Sequence, residues 1–163
     1  MLALPQMVAL VFLPFVLPIC AHAAWTDLRA MRISNYAVLA LAAVFILLGP
    51  FLYPLETYGW RLLTLAVVLV VGIVANAMRL LGAGDAKFIA AAAPYIDPAD
   101  LRLLIAMSAA ILLAAFASHR IAQRTPLRNL APDWESWQRQ GDFPMGFPLG
   151  ATLAGYLLLG AFT

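Results

Sequence analysis

An all-α polytopic integral membrane protein is the fold class this sequence predicts, and three observations predict it. Hydrophobic residues make up 64% of the 163 and charged residues only 11%, against about 25% charged in an ordinary globular domain. Several stretches carry almost no charge over the length a bilayer crossing requires. Cations gather in alternate connections: Arg29 and Arg32 in the first, Arg79 and Lys87 in the third, and Arg120, Arg124, Arg128 and Arg139 in the fifth, with Arg61 and Arg102 elsewhere. The first two observations do not fit a soluble fold. The third orients the chain, with the first, third and fifth connections cytoplasmic and both termini outside.

Six transmembrane segments are expected, running roughly over residues 2–24, 36–55, 62–78, 88–96, 103–118 and 143–162. A span needs about 20 residues, so the fourth is short and should be partly re-entrant or lie where the bilayer thins. Pro5, Pro14 and Pro18 in the first segment each remove a backbone donor and predict a curved helix. Gly49-Pro50 and Pro54 mark the outer end of the second segment, Pro94 and Pro98 that of the fourth, and Pro126 and Pro132 lie in the longest loop. No repeat or low-complexity tract divides the chain, so residues 1–163 read as one membrane-embedded domain.

Smaller features yield further expectations. Ala21-His22-Ala23 follows an apolar run in the manner of a secretory cleavage site, but no Lys or Arg precedes Arg29 and the run exceeds a signal's apolar core. The first segment is therefore read as a span. Cys20 has no partner for a disulfide and is expected as a small buried hydrophobe. His22 and His119 are unaccompanied by a ligand cluster, so neither a metal nor another cofactor is expected. Trp134 and Trp137, three residues apart among arginines, suggest a short surface helix at headgroup level. Asn76 is expected to bond to a neighbouring helix.

The chemistry-bearing feature is Gly82-Ala83-Gly84-Asp85-Ala86-Lys87, which interrupts the apolar pattern between the third and fourth segments. Ionisable groups near membrane depth are costly unless they serve a site, and a second acid, Asp27, ends the first segment. Each alone has a structural explanation. A glycine can end the third helix in a left-handed conformation and Asp85 can cap the fourth. Asp27 can pair with Arg29 or Arg32 near the headgroups, Ser34 and Asn35 can cap the second helix, and Lys87 can snorkel.

Taken together, the motifs are more specific. Gly82-Ala83-Gly84-Asp85-Ala86-Lys87 resembles the GxGDxK signature of the prepilin peptidases, also called type IV leader peptidases, which are membrane aspartyl proteases. The stretch from Asp27 through Arg32 to Ser34-Asn35 resembles that family's first-aspartate motif, an Asp followed some residues later by Ile-Pro-Asn. Pro144-Met145-Gly146 resembles a third element at the start of the last span. Ser34 stands where the family has Pro, and Met145 where it has an aromatic ring, which puts helix entry and substrate contact in question at those two points.

The resemblance implies an aspartic endopeptidase with Asp27 and Asp85 as the catalytic pair. Gly82 and Gly84 would let the chain bend and admit substrate backbone, so that replacing Gly84 lowers turnover. Lys87, Arg32, Asn35, Pro144 and Gly146 would take supporting or substrate-contacting places. Its substrate would be a pilin or pseudopilin precursor, cut at the cytoplasmic face of the bacterial inner membrane, with membrane lipid and no nucleic acid as the other partner. The cysteine-rich insert of larger, methylating members is missing, so the chain resembles the short peptidases of tight-adherence (Tad/Flp) pilus systems. Two carboxyls suit the reaction because like charges at close range hold one proton between them, supplying an acid and a base together. The competing class is a non-enzymatic transporter or secretion-machine scaffold that uses the acids for ion relay or packing. It lacks the inverted pair of broken helices that transporters often show.

Overall fold

The computed structural model describes residues 2–139 and 141–163. They form six α-helices: α1 (Gln6–Ala30), α2 (Asn35–Leu52), α3 (Leu55–Ala77), α4 (Ala83–Ala92), α5 (Leu101–Gln123) and α6 (Gly146–Phe162), with short 3-10 turns in the connections before and after α5. No strand occurs among the described residues. By length and composition α1, α2, α3 and the Pro98–Gln123 helix can cross a membrane, while the apolar α6 has 17 residues. The six expected segments thus reduce to four of full spanning length. With its 3-10 extension Ala93–Tyr95, α4 rises about 21 Å, short of a hydrocarbon core of about 30 Å.

Most of α3 and α5 points outward with apolar side chains, Val70, Val71, Ile73 and Leu113 among them. Such a surface is costly in water and matched to lipid. The interior is built on α1 lying along α6, with α4 wedged against α2 and α3. Gly150 makes the first pairing close: a Cβ there would sit 2.9 Å from the Cys20 carbonyl oxygen. Cys20 is buried and unpaired, as expected. Phe12 stacks on Phe45 with centroids 5.7 Å apart, and Tyr95 meets both rings edge-on.

Proline ends neither of the first two helices, and Pro5 is the N-cap of α1 rather than part of its interior. Pro14 and Pro18 lie within α1, and α2 continues through Pro50 to Leu52 instead of ending at Gly49-Pro50. Lacking an N–H, Pro50 leaves the Ile46 carbonyl without its helical donor. The Tyr58 hydroxyl donates to that oxygen at 3.1 Å, so the backbone group is satisfied and the helix carries on.

Polar side chains fasten one end of the bundle. Arg61 pairs with Asp97 at 2.8 Å, donates to the carbonyls of Pro94 and Ile96, and lies over the Tyr53 ring. The Asp100 carboxylate accepts from the backbone N–H groups of Ala3 and Leu4 and from the Tyr156 hydroxyl. Gln6 donates to the Ala161 carbonyl at 3.0 Å. The two ends of the described chain therefore lie together beside the Asp97–Asp100 turn. The opposite end gathers the C-terminal turns of α1, α3 and α5 and the first turns of α2, α4 and α6.

Candidate active site

Asp27 lies in the last turn of α1, which closes at Met31, a left-handed residue (φ 49°) whose N–H donates to the Asp27 carbonyl at 2.8 Å. Its side chain is buried. Among the described residues it has no ion-pair partner, so the structural alternative, a pairing with Arg29 or Arg32, does not occur. Instead Oδ2 accepts from the Gly146 N–H at 2.6 Å. Gly146 opens α6, where first-turn N–H groups lack helical acceptors and the helix dipole favours a negative group. The local reason Gly stands there is space: a Cβ would fall 2.9 Å from both Asp27 Cβ and Ile33 Cγ1.

Asp85 arrives from the other side. Past α3 the chain reverses at Arg79 (φ 60°), and the described glycines have no positive φ. The left-handed residue that the structural alternative assigns to a glycine is thus an arginine. Three backbone bonds, from Met78 to Val74, Arg79 to Asn76 and Leu80 to Ala75, tighten the turn. Asn76 reinforces it by donating from Nδ2 to the Leu81 carbonyl at 2.8 Å, rather than to a neighbouring helix. Gly82 is the N-cap of α4, and Asp85 falls in the first turn, not at the cap. The carboxylate lines the cleft with Oδ2 close beside the Gly82 backbone.

Both acids line one cleft of about 440 Å³, bordered also by Arg32, Asn35, Gly82, Gly84 and Lys87. Partial burial, and then the neighbouring Asp27 carboxylate, push the Asp85 carboxyl up to about 6. A group so placed exchanges its proton close to neutral pH, as an acid–base partner must. Lys87 Nζ donates to Asn35 Oδ1 at 3.2 Å, joining the two motifs across the cleft rim. Pro144, two residues before Gly146, is fully buried.

The departure at Ser34 does not disturb helix entry. Ser34 is the N-cap of α2 with φ −63° and ψ 132°, and its side chain accepts from the Tyr36 N–H. Proline's ring fixes much the same φ, so Ser and Pro both suit this backbone.

Met145 of the third motif lines the cleft, and the wall that Arg139, Asp142 and Phe143 add to it was not legible. Its one sequence signal is adjacency to Pro144-Met145-Gly146. The tryptophans beside it also differ from expectation. Residues Glu135–Trp137 make only a 3-10 turn, and Trp137 is buried, stacked on His119 and on Trp134. Trp134 in turn meets Trp25 of α1 edge-on. This packing ties the loop to α1 and α5 and holds it over the site. No group of three or more His, Cys, Asp or Glu side chains is placed to hold a metal among the described residues.

The glycines differ in what they allow. A Cβ on Gly82 would lie 2.6 Å from Asp85 Oδ2, whereas one on Gly84 would meet Ile33 at an ordinary 3.4 Å. Gly82→Ala must therefore turn the Asp85 carboxyl aside. It is expected to lower kcat about tenfold, while Gly84→Ala stays within about threefold of the parent, given what small displacements cost. Steady-state cleavage by the two variants checks the order, and a larger loss at Gly84 would refute it.

Comparison with known proteins identifies one family: a model described as the type IV leader peptidase family matches residues 14–118. That stretch contains both acids, the whole of α4 and the part of α1 that carries Asp27. No curated protein matches significantly, and neither does any solved structure.

Proposed function

The chain belongs to the type IV leader peptidase family, and on that premise we propose that it is an aspartic endopeptidase in which Asp27 and Asp85 form the catalytic pair. The observation that carries this reading is the convergence of the two carboxyl groups, from α1 and α4, on one cleft. Amide hydrolysis needs a base to take a proton from water and an acid to protonate the carbonyl oxygen and then the leaving nitrogen. A pair holding one proton supplies both. The proton belongs to the pair as a unit.

The substrate is a pilin-type precursor with an apolar helix, cut at the cytoplasmic face of the bacterial inner membrane without a methylation step. Arg29, Arg32, Arg79, Lys87, Arg124 and Arg128 lie toward the acid-bearing end of the bundle, and the chain ends lie at the other. The positive-inside tendency favours that arrangement. On this topology six passes occur, the fourth running over residues 88–96 in a thinned bilayer, with Asp85 in the connection before it. Arg32 and Lys87 border the cleft as cations for the substrate, Asn35 holds Lys87, Gly146 presents the N–H that orients Asp27, and the buried Pro144 supports the start of α6.

The test is to incubate the purified chain in lipid vesicles with a pilin-type precursor and weigh the products. Cleavage just before the apolar helix is expected; an intact precursor overturns the reading. The pH profile adds a second check. Asp85 has its carboxyl raised to about 6, so the pair loses its last proton as pH rises past that point. The cleavage rate should fall along a basic limb that begins near pH 6.

A further inference from the structure

Val38, Leu39 and Ala42 of α2, Leu65 and Leu69 of α3 and Ala91 of α4 wall an apolar groove of about 410 Å³. Asn35 and Lys87 border both this groove and the cleft of the two acids, and their side chains are joined by the 3.2 Å bond. The two cavities thus meet at one polar pair. From Asn35 to Ala42 the groove runs seven residues along α2, about 10 Å, away from the acids toward the middle of the bundle. The small side chains of Ala42 and Ala91 leave its floor deep, which lets another helix approach closely.

We propose that this groove seats the first two turns of the precursor's apolar helix, directly after the bond that is cut, with Lys87 and Asn35 marking the passage from groove to cleft. The proposal rests on the peptidase reading of the cleft. A peptide bond inside a helix is closed to attack by its own hydrogen bonds, so the bond presented to Asp27 and Asp85 must lie just beyond a helix end. Seating that helix in an apolar groove, a known mode of helix recognition, fixes how far the chain reaches into the cleft. It thereby selects which bond is cut. A lipid chain satisfies the groove's chemistry but not its continuity with the cleft, which suits one polypeptide occupying both.

Photo-crosslinking in vesicles tests this, with a benzophenone amino acid placed at Leu39 in the groove or at Leu113 on the outer face of α5, in an Asp85→Asn background that preserves the precursor. Position 39 should capture the precursor within its first two helical turns, and position 113 should not. Equal capture from both, or adducts to lipid alone, would overturn the proposal. In the active protein, Ala42→Phe should lower the ratio of full-precursor cleavage to cleavage of a soluble peptide ending before the helix by about tenfold. An unchanged ratio counts against the groove, and if the variant does not fold the crosslinks decide. Failure of the parent protein to cut either substrate would instead refute the peptidase reading.

Discussion

Asp85→Asn and Asp27→Asn are each expected to reduce precursor cleavage by at least about 10³-fold, within the range that a positioned proton-transfer group supplies. Asparagine keeps the size and shape of the side chain but neither gives up nor takes a proton near neutral pH. At position 27 its amide oxygen can still accept from the Gly146 N–H, which now meets Oδ2 at 2.6 Å. Loss of activity there would report lost ionisation rather than lost architecture. Activity at the parental rate in either variant would dismiss the pair.

The same substitution at position 85 has a stability signature of opposite sign. The fold raises this carboxyl from 3.8 to about 6, so the native state disfavours its ionised form. Below the unfolded value the acid is neutral in both states and costs nothing. As pH rises through about 6 the penalty develops in full, and a neutral amide escapes it. Asp85→Asn should therefore unfold at a higher temperature than the parent at pH 8 and at much the same temperature near pH 4. A less stable variant at pH 8 would mean that burial and the Asp27 charge do not act on Asp85 as the geometry indicates.

The parts of the site that were legible in the sequence are those encoded locally. Charge-poor stretches mark where α1, α2, α3 and α5 lie, and the alternation of cations places Asp27 and Asp85 at the same end. The contacts that orient the acids were not legible, because they join residues distant along the chain. Gly146 lies 119 positions from the carboxylate it orients, and helical periodicity carries no information about such a bond. Arg79 was missed for a different reason. Glycine is the usual left-handed residue, yet here the turn after α3 is drawn tight by backbone bonds and Asn76, which impose that conformation on an arginine. Trp137 reads as interfacial by composition, but His119 and Trp134 offer it stacking partners that a sequence does not display.

Gly146→Ala is expected to lower kcat about 10²-fold with little change in KM, and to cost roughly 1–3 kcal/mol of stability, as overfilled interiors do. The added methyl would lie 2.9 Å from Asp27 Cβ, 2.9 Å from Ile33 Cγ1 and 3.1 Å from Asp27 Oδ2. None of the carbon neighbours is the loose end of a long side chain. Asp27 Cβ is fixed to α1, and Ile33 is buried with a branched, stiff side chain. The strain must instead move the start of α6 away from α1, lengthening the 2.6 Å bond that aims the Asp27 carboxylate. A displacement of about 1 Å in an acid–base partner is enough for a loss of this size. Gly155→Ala supplies the control on the same helix, because a Cβ there meets nothing closer than 3.9 Å. It should retain both activity and stability. If the two variants behave alike, the Gly146 contact with Asp27 does not govern the reaction. A stability loss at Gly146 with parental kcat would confine that glycine to packing.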